Sequence, residues 1–315
     1  MSPTTLVRGR LADHPLWSRA LAAPALVSRL VKPVIVSARV EDRERVPEAP
    51  WLERLSITEL VRDARAALSA GVAGFLVYGT SDRKDERAMI ASERDHVVTR
   101  AIHAIKDAVP DLAVATDVCV CAYTPHGQCV LFSEGNADVD ATLGRLTEIA
   151  LVHADAGADL LVSSGMLDGA VRALRSALAG VDHGKVPVAA VIKLESVLYA
   201  LHRVAVESTP IRERAVSLVD PADADAPRAR ALREIGSGAD AVILKPGLAT
   251  FDHVGRVAAV AERPLFSYFT SDEHALFAAE SVADGQAVER ESLVAARRAG
   301  ADLFISHAAL DAAES

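Results

Sequence analysis

Eight short apolar runs, separated by longer amphipathic stretches, constrain this chain more than any other feature of its sequence. They are PVIVS (33–37), GFLVYG (74–79), LAVATDV (112–118), DLLVSS (159–164), VPVAAVIK (186–193), DAVILKP (240–246), PLFSYFT (264–270) and DLFISH (302–307). Short apolar runs with helical periodicity between them are the pattern of parallel strands covered by helices. In SITELVRDARAALSAG, for example, Ser56 is placed to cap a helix, with Glu59 three residues on. A small residue followed by Gly recurs just before a run at Gly71, Gly157, Gly238 and Gly300, the last three reading GAD. Glycine suits the left-handed residue that ends a helix. Eight such units, with no strand-to-strand hairpin in the pattern and no GxGxxG turn, predict an α/β fold of the (β/α)8 TIM-barrel type.

The boundaries follow from composition. Residues 1–32 form an N-terminal arm rich in Ala, Leu and Arg, residues 33–315 the barrel, and the polar stretch of about 195–227 a lid over the C-terminal face. The arm cannot bury its apolar residues alone, which predicts packing on another subunit. A net charge of -9 argues against a nucleic-acid partner, and no run of apolar residues is long enough to span a membrane. Three cysteines in 315 residues are too few for a disulfide framework, which suits a reducing cytoplasm.

All three cysteines fall in DVCVCAYTPHGQC, after the third run: Cys119, Cys121 and Cys129. In an extended segment positions i and i+2 point the same way, and a short loop can return the third thiolate to them. Three ligands with a fourth position open is the pattern of a catalytic zinc site; three buried, inert thiols are the plain alternative. His126, in a PHG turn, is either a fourth ligand or a hydrogen-bonding group of the turn.

Of 34 basic residues only six are lysine, and two of these, Lys193 and Lys245, end apolar strands. Arginine cannot act as an amine nucleophile, whereas a desolvated lysine beside a second ammonium can attack a carbonyl near neutral pH. A buried structural lysine is the alternative for each. Two on neighbouring strands favour Schiff-base chemistry.

These motifs, together with SSGMLDG, VILKPGL and the S-x-E pattern of Ser271 and Glu273, resemble the porphobilinogen synthase (5-aminolevulinate dehydratase) family in its zinc-dependent form, from Pro33 to His307. The resemblance implies a hydro-lyase that condenses two 5-aminolevulinate molecules to porphobilinogen. It implies that Lys245 and Lys193 form Schiff bases with the propionate-side and acetate-side substrates, that Asp117 assists proton transfer, and that Cys119, Cys121 and Cys129 hold zinc. Arg203 and Arg214 would clamp the acetate-side carboxylate from the lid. Ser271, with His307 in place of a tyrosine, would bind the other carboxylate, and protonation of His307 would make that binding pH-dependent. Tyr199 and Ser164 complete the implied substrate-binding set. A homo-oligomer, an octamer in the family, is implied as well, and magnesium stays open as a regulatory ion.

The chain departs from the family pattern at Gly165, Ala170, His202, Leu218, Gln128, Asp272 and His307. None of these touches the lysines or the cysteines, and all touch substrate fit, proton transfer or the lid. A second reading is therefore a paralogue using the same chemistry on another amino ketone. A third is a non-catalytic homologue that only binds such a ligand.

Overall fold

The computed structural model describes residues 9–278 and 285–309. Eight parallel strands close a barrel: β1 Leu30–Ser37, β2 Gly74–Thr80, β3 Ala113–Val118, β4 Leu160–Ser163, β5 Val188–Lys193, β6 Ala241–Lys245, β7 Leu265–Tyr268 and β8 Leu303–Ile305. Closure is made where Leu30 and Val31 of β1 pair with Phe304 and Ile305 of β8. Each of the eight apolar runs has become one of these strands.

Two-residue alternation sorts every strand into an inner and an outer face. Val31, Leu76, Ala115, Val162, Ala189, Val191, Ile243 and Phe266 fill the barrel, while Leu30, Val77, Val114, Leu161, Ile192 and Leu244 meet the helices outside. The same parity carries upward. Asp117, Ser164, Lys193, Lys245 and Tyr268 continue the inward series of their strands and arrive together at the C-terminal mouth.

The opposite end is organised by the repeated GAD turn. Gly157, Gly238 and Gly300 have φ of +99°, +104° and +124°, as a helix-ending left-handed residue requires. The aspartates that follow each cap a neighbouring strand: the Asp159, Asp240 and Asp302 carboxylates accept from Val114 N, Val188 N and Leu265 N at 2.8, 3.0 and 2.9 Å. Ser56 caps its helix as expected, accepting from Glu59 N at 3.3 Å.

Three features differ from the sequence reading. The barrel is not free of hairpins: Arg43–Val46 pairs antiparallel with Ala49–Leu55, and Leu131–Ser133 with Asn136–Asp138. The first hairpin lies along the upper half of β1, through Ile35 opposite Arg54. The first strand also begins at Leu30, inside the expected arm. Finally, within the described part of the arm, Leu11 and Trp17 are fully buried against the bottom of their own barrel. The Trp17 ring meets Phe266 edge-on at 6.1 Å, and its indole N–H donates to the Asp159 carbonyl at 2.9 Å. These residues need no second subunit for burial; residues 1–8 lie outside the described part.

The lid leaves β5 at Glu195 and returns at Val219, where Glu195 N donates to Val219 O at 2.7 Å and Val219 N to Lys193 O at 2.9 Å. Its one helix, Ala200–Ala205, is finished by Arg54, whose guanidinium donates to the carbonyls of Ala205 and Val204 at 2.9 and 3.3 Å. Those carbonyls are helix-end acceptors, the Val204 one also taking Glu207 N at 3.1 Å, and a cation is favoured there by the helix dipole. Among the described residues no helix is long and apolar enough to cross a membrane.

Candidate active site

The mouth of the barrel opens into a cleft of about 1000 Å³, including its open side, walled by strand ends, the cysteine loop and the lid. Lys193 and Lys245 stand directly opposite one another in the β5–β6 register, and both line it. Lys245 is 5% exposed, and its ammonium is unwelcome: burial first, and then repulsion from Lys193, lower its pKa to about 7. The amine lies 3.8 Å from the centre of the Tyr268 ring, a contact that favours the charged form without offsetting its desolvation.

Asp117 ends β3 across the cleft. Burial raises its pKa to about 6, against the opposing pull of the Ser164 hydroxyl and Lys193. Its Oδ1 is buried with no hydrogen-bond partner among the described residues, so one oxygen of this cleft-lining carboxyl is unspent. A carboxyl and an amine that both change protonation near neutrality, in one cleft, are the groups a proton-transferring site needs.

The three cysteine sulfurs lie within 4.8 Å of one another, with Cys119 and Cys121 at 3.3 Å. Zinc bound to sulfur at about 2.3 Å sets its tetrahedral ligands nearly 4 Å apart, so this donor set fits a thiophilic metal. Hydrogen bonds from the Cys119 and Cys121 thiols hold Cys129 well below the usual thiol range, while Cys119 is pushed up. One negative charge is thus already favoured in the cluster. Gly165, expected not to touch the cysteines, in fact stands against them and makes room for the cluster: a Cβ there would lie 3.3 Å from Cys129 Cβ and 3.9 Å from Cys119 Sγ. His126 serves the turn, its Nδ1 accepting from Gln128 N at 3.1 Å, and it is not among the clustered ligands.

From the lid come Arg203 and Arg214, their guanidinium carbons 5.8 and 6.0 Å from the centre of the Tyr199 ring. The Tyr199 hydroxyl is spent on backbone, donating to the carbonyls of Leu194 and Lys245 at 2.8 and 3.0 Å. Tyr199 therefore offers the cleft a ring face, not a hydroxyl.

Two expected residues are not brought to the cleft wall. Ser271 is 1% exposed and its hydroxyl donates to the Asp272 carboxylate at 3.1 Å. His307 follows the inward parity of β8, but the strand stops at Ile305 and the chain turns into a 3-10 segment, His307–Ala309. It lines a separate cavity with Lys32, Asp63 and His274. Burial, then His274 and Lys245, drive its pKa well down, so the ring is neutral, contrary to the expected imidazolium.

Sequence reasoning gave no role to Tyr78 and Tyr268, whose hydroxyls meet at 3.1 Å in the cleft wall, and named His202 only as a departure in the lid; its imidazole lies 4.6 Å from the Tyr78 ring centre. Strand parity held the signal for both tyrosines. Burial first, and then Lys245, keep His202 uncharged.

The fold and its cleft define a (β/α)8 barrel whose site is built at the C-terminal mouth from two facing lysines, a thiol cluster and a basic lid. The delta-aminolevulinic acid dehydratase family model matches residues 8–315. The chain is 36% identical to the delta-aminolevulinic acid dehydratase of Methanothermobacter thermautotrophicus, over 98% of this chain and 96% of that one. It is 34% identical to that of Escherichia coli K12, over 90% and 89%. The crystal structure of delta-aminolevulinic acid dehydratase (porphobilinogen synthase) from Toxoplasma gondii ME49, in complex with the product porphobilinogen, superposes with a TM-score of 0.88 at 28% identity, covering 98% of this chain and 90% of that one. The chain belongs to the delta-aminolevulinic acid dehydratase family.

Proposed function

We propose that this protein is a hydro-lyase that condenses two 5-aminolevulinate molecules to porphobilinogen, with Lys193 and Lys245 as amine nucleophiles. The observation that carries the reading is the facing pair itself, with Lys245 lowered to about 7. An uncharged Nζ adds to the ketone carbon of a substrate, and loss of water leaves a protonated Schiff base that activates the neighbouring carbon. Asp117, with a free oxygen at the cleft and a pKa raised to about 6, takes and returns protons there. Arg203 and Arg214 bind a substrate carboxylate from above, where a guanidinium fork suits a planar anion. Cys119, Cys121 and Cys129 would hold a zinc ion, which supplies a Lewis acid to the second substrate. In this reading the working form is a cytoplasmic homo-oligomer.

The test is incubation of the zinc-loaded protein with 5-aminolevulinate and colorimetric detection of porphobilinogen, with Lys245→Ala as the blank. Lysine-dependent product is expected. No product from folded, zinc-loaded protein would overturn the proposal. In that event the same chemistry on a different amino ketone becomes the better reading. It is favoured by Asp272, whose carboxylate already occupies the Ser271 hydroxyl.

A further inference from the structure

The lid carries the two arginines that reach the Tyr199 ring, Arg203 and Arg214, but little structure of its own. Among the described residues, the backbone of 212–218 makes no hydrogen bond to other backbone. What pins its backbone is one side chain from the cysteine loop, beside an ion pair of Arg214 with Glu195 at 3.5 Å. Gln128, 4% exposed, donates from Nε2 to the carbonyls of Arg212 and Glu213 at 3.2 and 2.9 Å, and its Oε1 accepts from Ala215 N at 3.2 Å. All the hydrogen-bonding directions this amide uses converge on the three residues that flank Arg214. The rest of the loop follows the lid closely. Ile211 N donates to His126 O at 3.3 Å, and a Cβ on Gly127 would stand 2.6 Å from Thr209 O. Across the cleft the lid helix is held in the same manner: Asp272, 8% exposed, accepts from Leu201 N at 3.2 Å, two residues before Arg203.

We infer that Gln128 is a positioning residue that ties the placement of Arg214 to the order of the neighbouring cysteine loop, with Asp272 as the corresponding anchor of the Arg203 helix. Gln128 adjoins Cys129, so whatever fixes that sulfur fixes the amide, and the amide fixes the backbone on both sides of Arg214. Metal held by the cysteines and a closed lid are then two states of one unit. A free lid strand would cost entropy each time a substrate ordered it; a strand already clamped does not. The inference rests on Arg214 as the clamp for a substrate carboxylate, so one arm of its test needs no substrate.

That arm is limited trypsin digestion at Arg212 and Arg214, followed by mass spectrometry. Zinc-loaded parent protein is expected to be cut slowly and chelated protein about tenfold faster. Gln128→Ala is expected to be cut fast with zinc bound. Gln128→Glu, which keeps the acceptor for Ala215 N but loses both donors, is expected to fall between. The second arm is steady-state kinetics with 5-aminolevulinate, where Gln128→Ala raises KM at least about tenfold and lowers kcat by no more than about threefold. Parent-like cleavage of zinc-loaded Gln128→Ala would overturn the inference, as would a loss confined to kcat. Should Gln128→Ala not fold, the Gln128→Glu cleavage rate decides: parent-like overturns, faster supports. If the parent makes no porphobilinogen, the proposed function fails while the cleavage arm still decides on the clamp.

Discussion

Replacing Lys245 by methionine removes a charge from the barrel mouth while keeping the length of the side chain. The lysine pKa falls from 10.5 to about 7 on folding, with burial as the first cause and Lys193 as the second. At about 1.36 kcal/mol per unit this is a cost of about 5 kcal/mol to the folded state when the amine is charged. The Tyr268 ring at 3.8 Å recovers about 2 kcal/mol at most, so the sign is not reversed. Because the folded pKa is depressed, the folded state binds fewer protons between pH 7 and 10.5. The parent therefore has its full stability above about 10.5 and loses it as pH falls towards 7, below which the penalty is constant. The methionine variant should be more stable than the parent by about 3–5 kcal/mol at pH 6, and by about 2 kcal/mol at pH 9. Urea denaturation midpoints of both proteins at the two pH values, in the same metal buffer, measure this. A variant less stable at pH 6, or an advantage that does not shrink with pH, would refute the account of Lys245 as a buried amine.

The same amine predicts that kcat/KM for 5-aminolevulinate rises with pH through about 7, since only the uncharged form attacks; a flat profile from pH 6 to 8 would contradict it. At the closed end of the barrel, Asp240→Ala takes the acceptor at 3.0 Å from Val188 N and one of two acceptors, at 3.2 Å, from the Arg175 guanidinium, which keeps the Val186 carbonyl. A loss of about 3 kcal/mol is expected in denaturant unfolding, and one below about 1 kcal/mol would mean that the cap is not needed. Gly165→Val places atoms where the Cys129 Cβ and backbone already stand, so zinc affinity measured by chelator competition should fall at least about tenfold. Unchanged affinity would show that the loop yields freely.

Much of this site is legible in the sequence because strands have a period of two. Once VPVAAVIK and DAVILK are strands with Ala189 and Ile243 inward, Lys193 and Lys245 must face inward too, and neighbouring strands then bring them opposite one another. The GAD repeat marks the other end of the barrel, although the strand-capping role of its aspartates needs the three-dimensional neighbour. What is not legible depends on where strands stop and on polar side chains that spend their bonds on backbone. His307 keeps inward parity on paper and loses it because β8 ends two residues earlier. The RERV strand of the first hairpin, exposed at three of its four positions, has no buried face to betray it. Tyr199 and Ser271 have the right residue types, but carbonyls and Asp272 take their hydroxyls.

The depressed pKa of Lys245 needs explaining in a site that also holds acids. Asp117 first, then Glu273 and Asp272, lie near enough to favour its charged form, yet burial and Lys193 prevail. Asp117 is itself weakened as an anion by burial, which lifts its pKa to about 6, and the other two acids are bonded elsewhere. The Glu273 carboxylate accepts from the backbone N–H groups of Gly247, Leu248 and Thr270 at 3.1, 2.6 and 2.6 Å. Asp272 accepts from the Ser271 hydroxyl and from Leu201 N at 3.1 and 3.2 Å. Each negative charge is therefore partly answered by dipoles aimed at it, and neither carboxylate is hydrogen-bonded to the amine. A buried ammonium needs a direct partner to stay charged, and carboxylates whose oxygens are bonded elsewhere do not provide one. The hydrogen bonds that fix the helix starting at Ser271 and hold the lid helix thus also keep those two carboxylates from pairing with Lys245, which favours the uncharged amine near neutral pH.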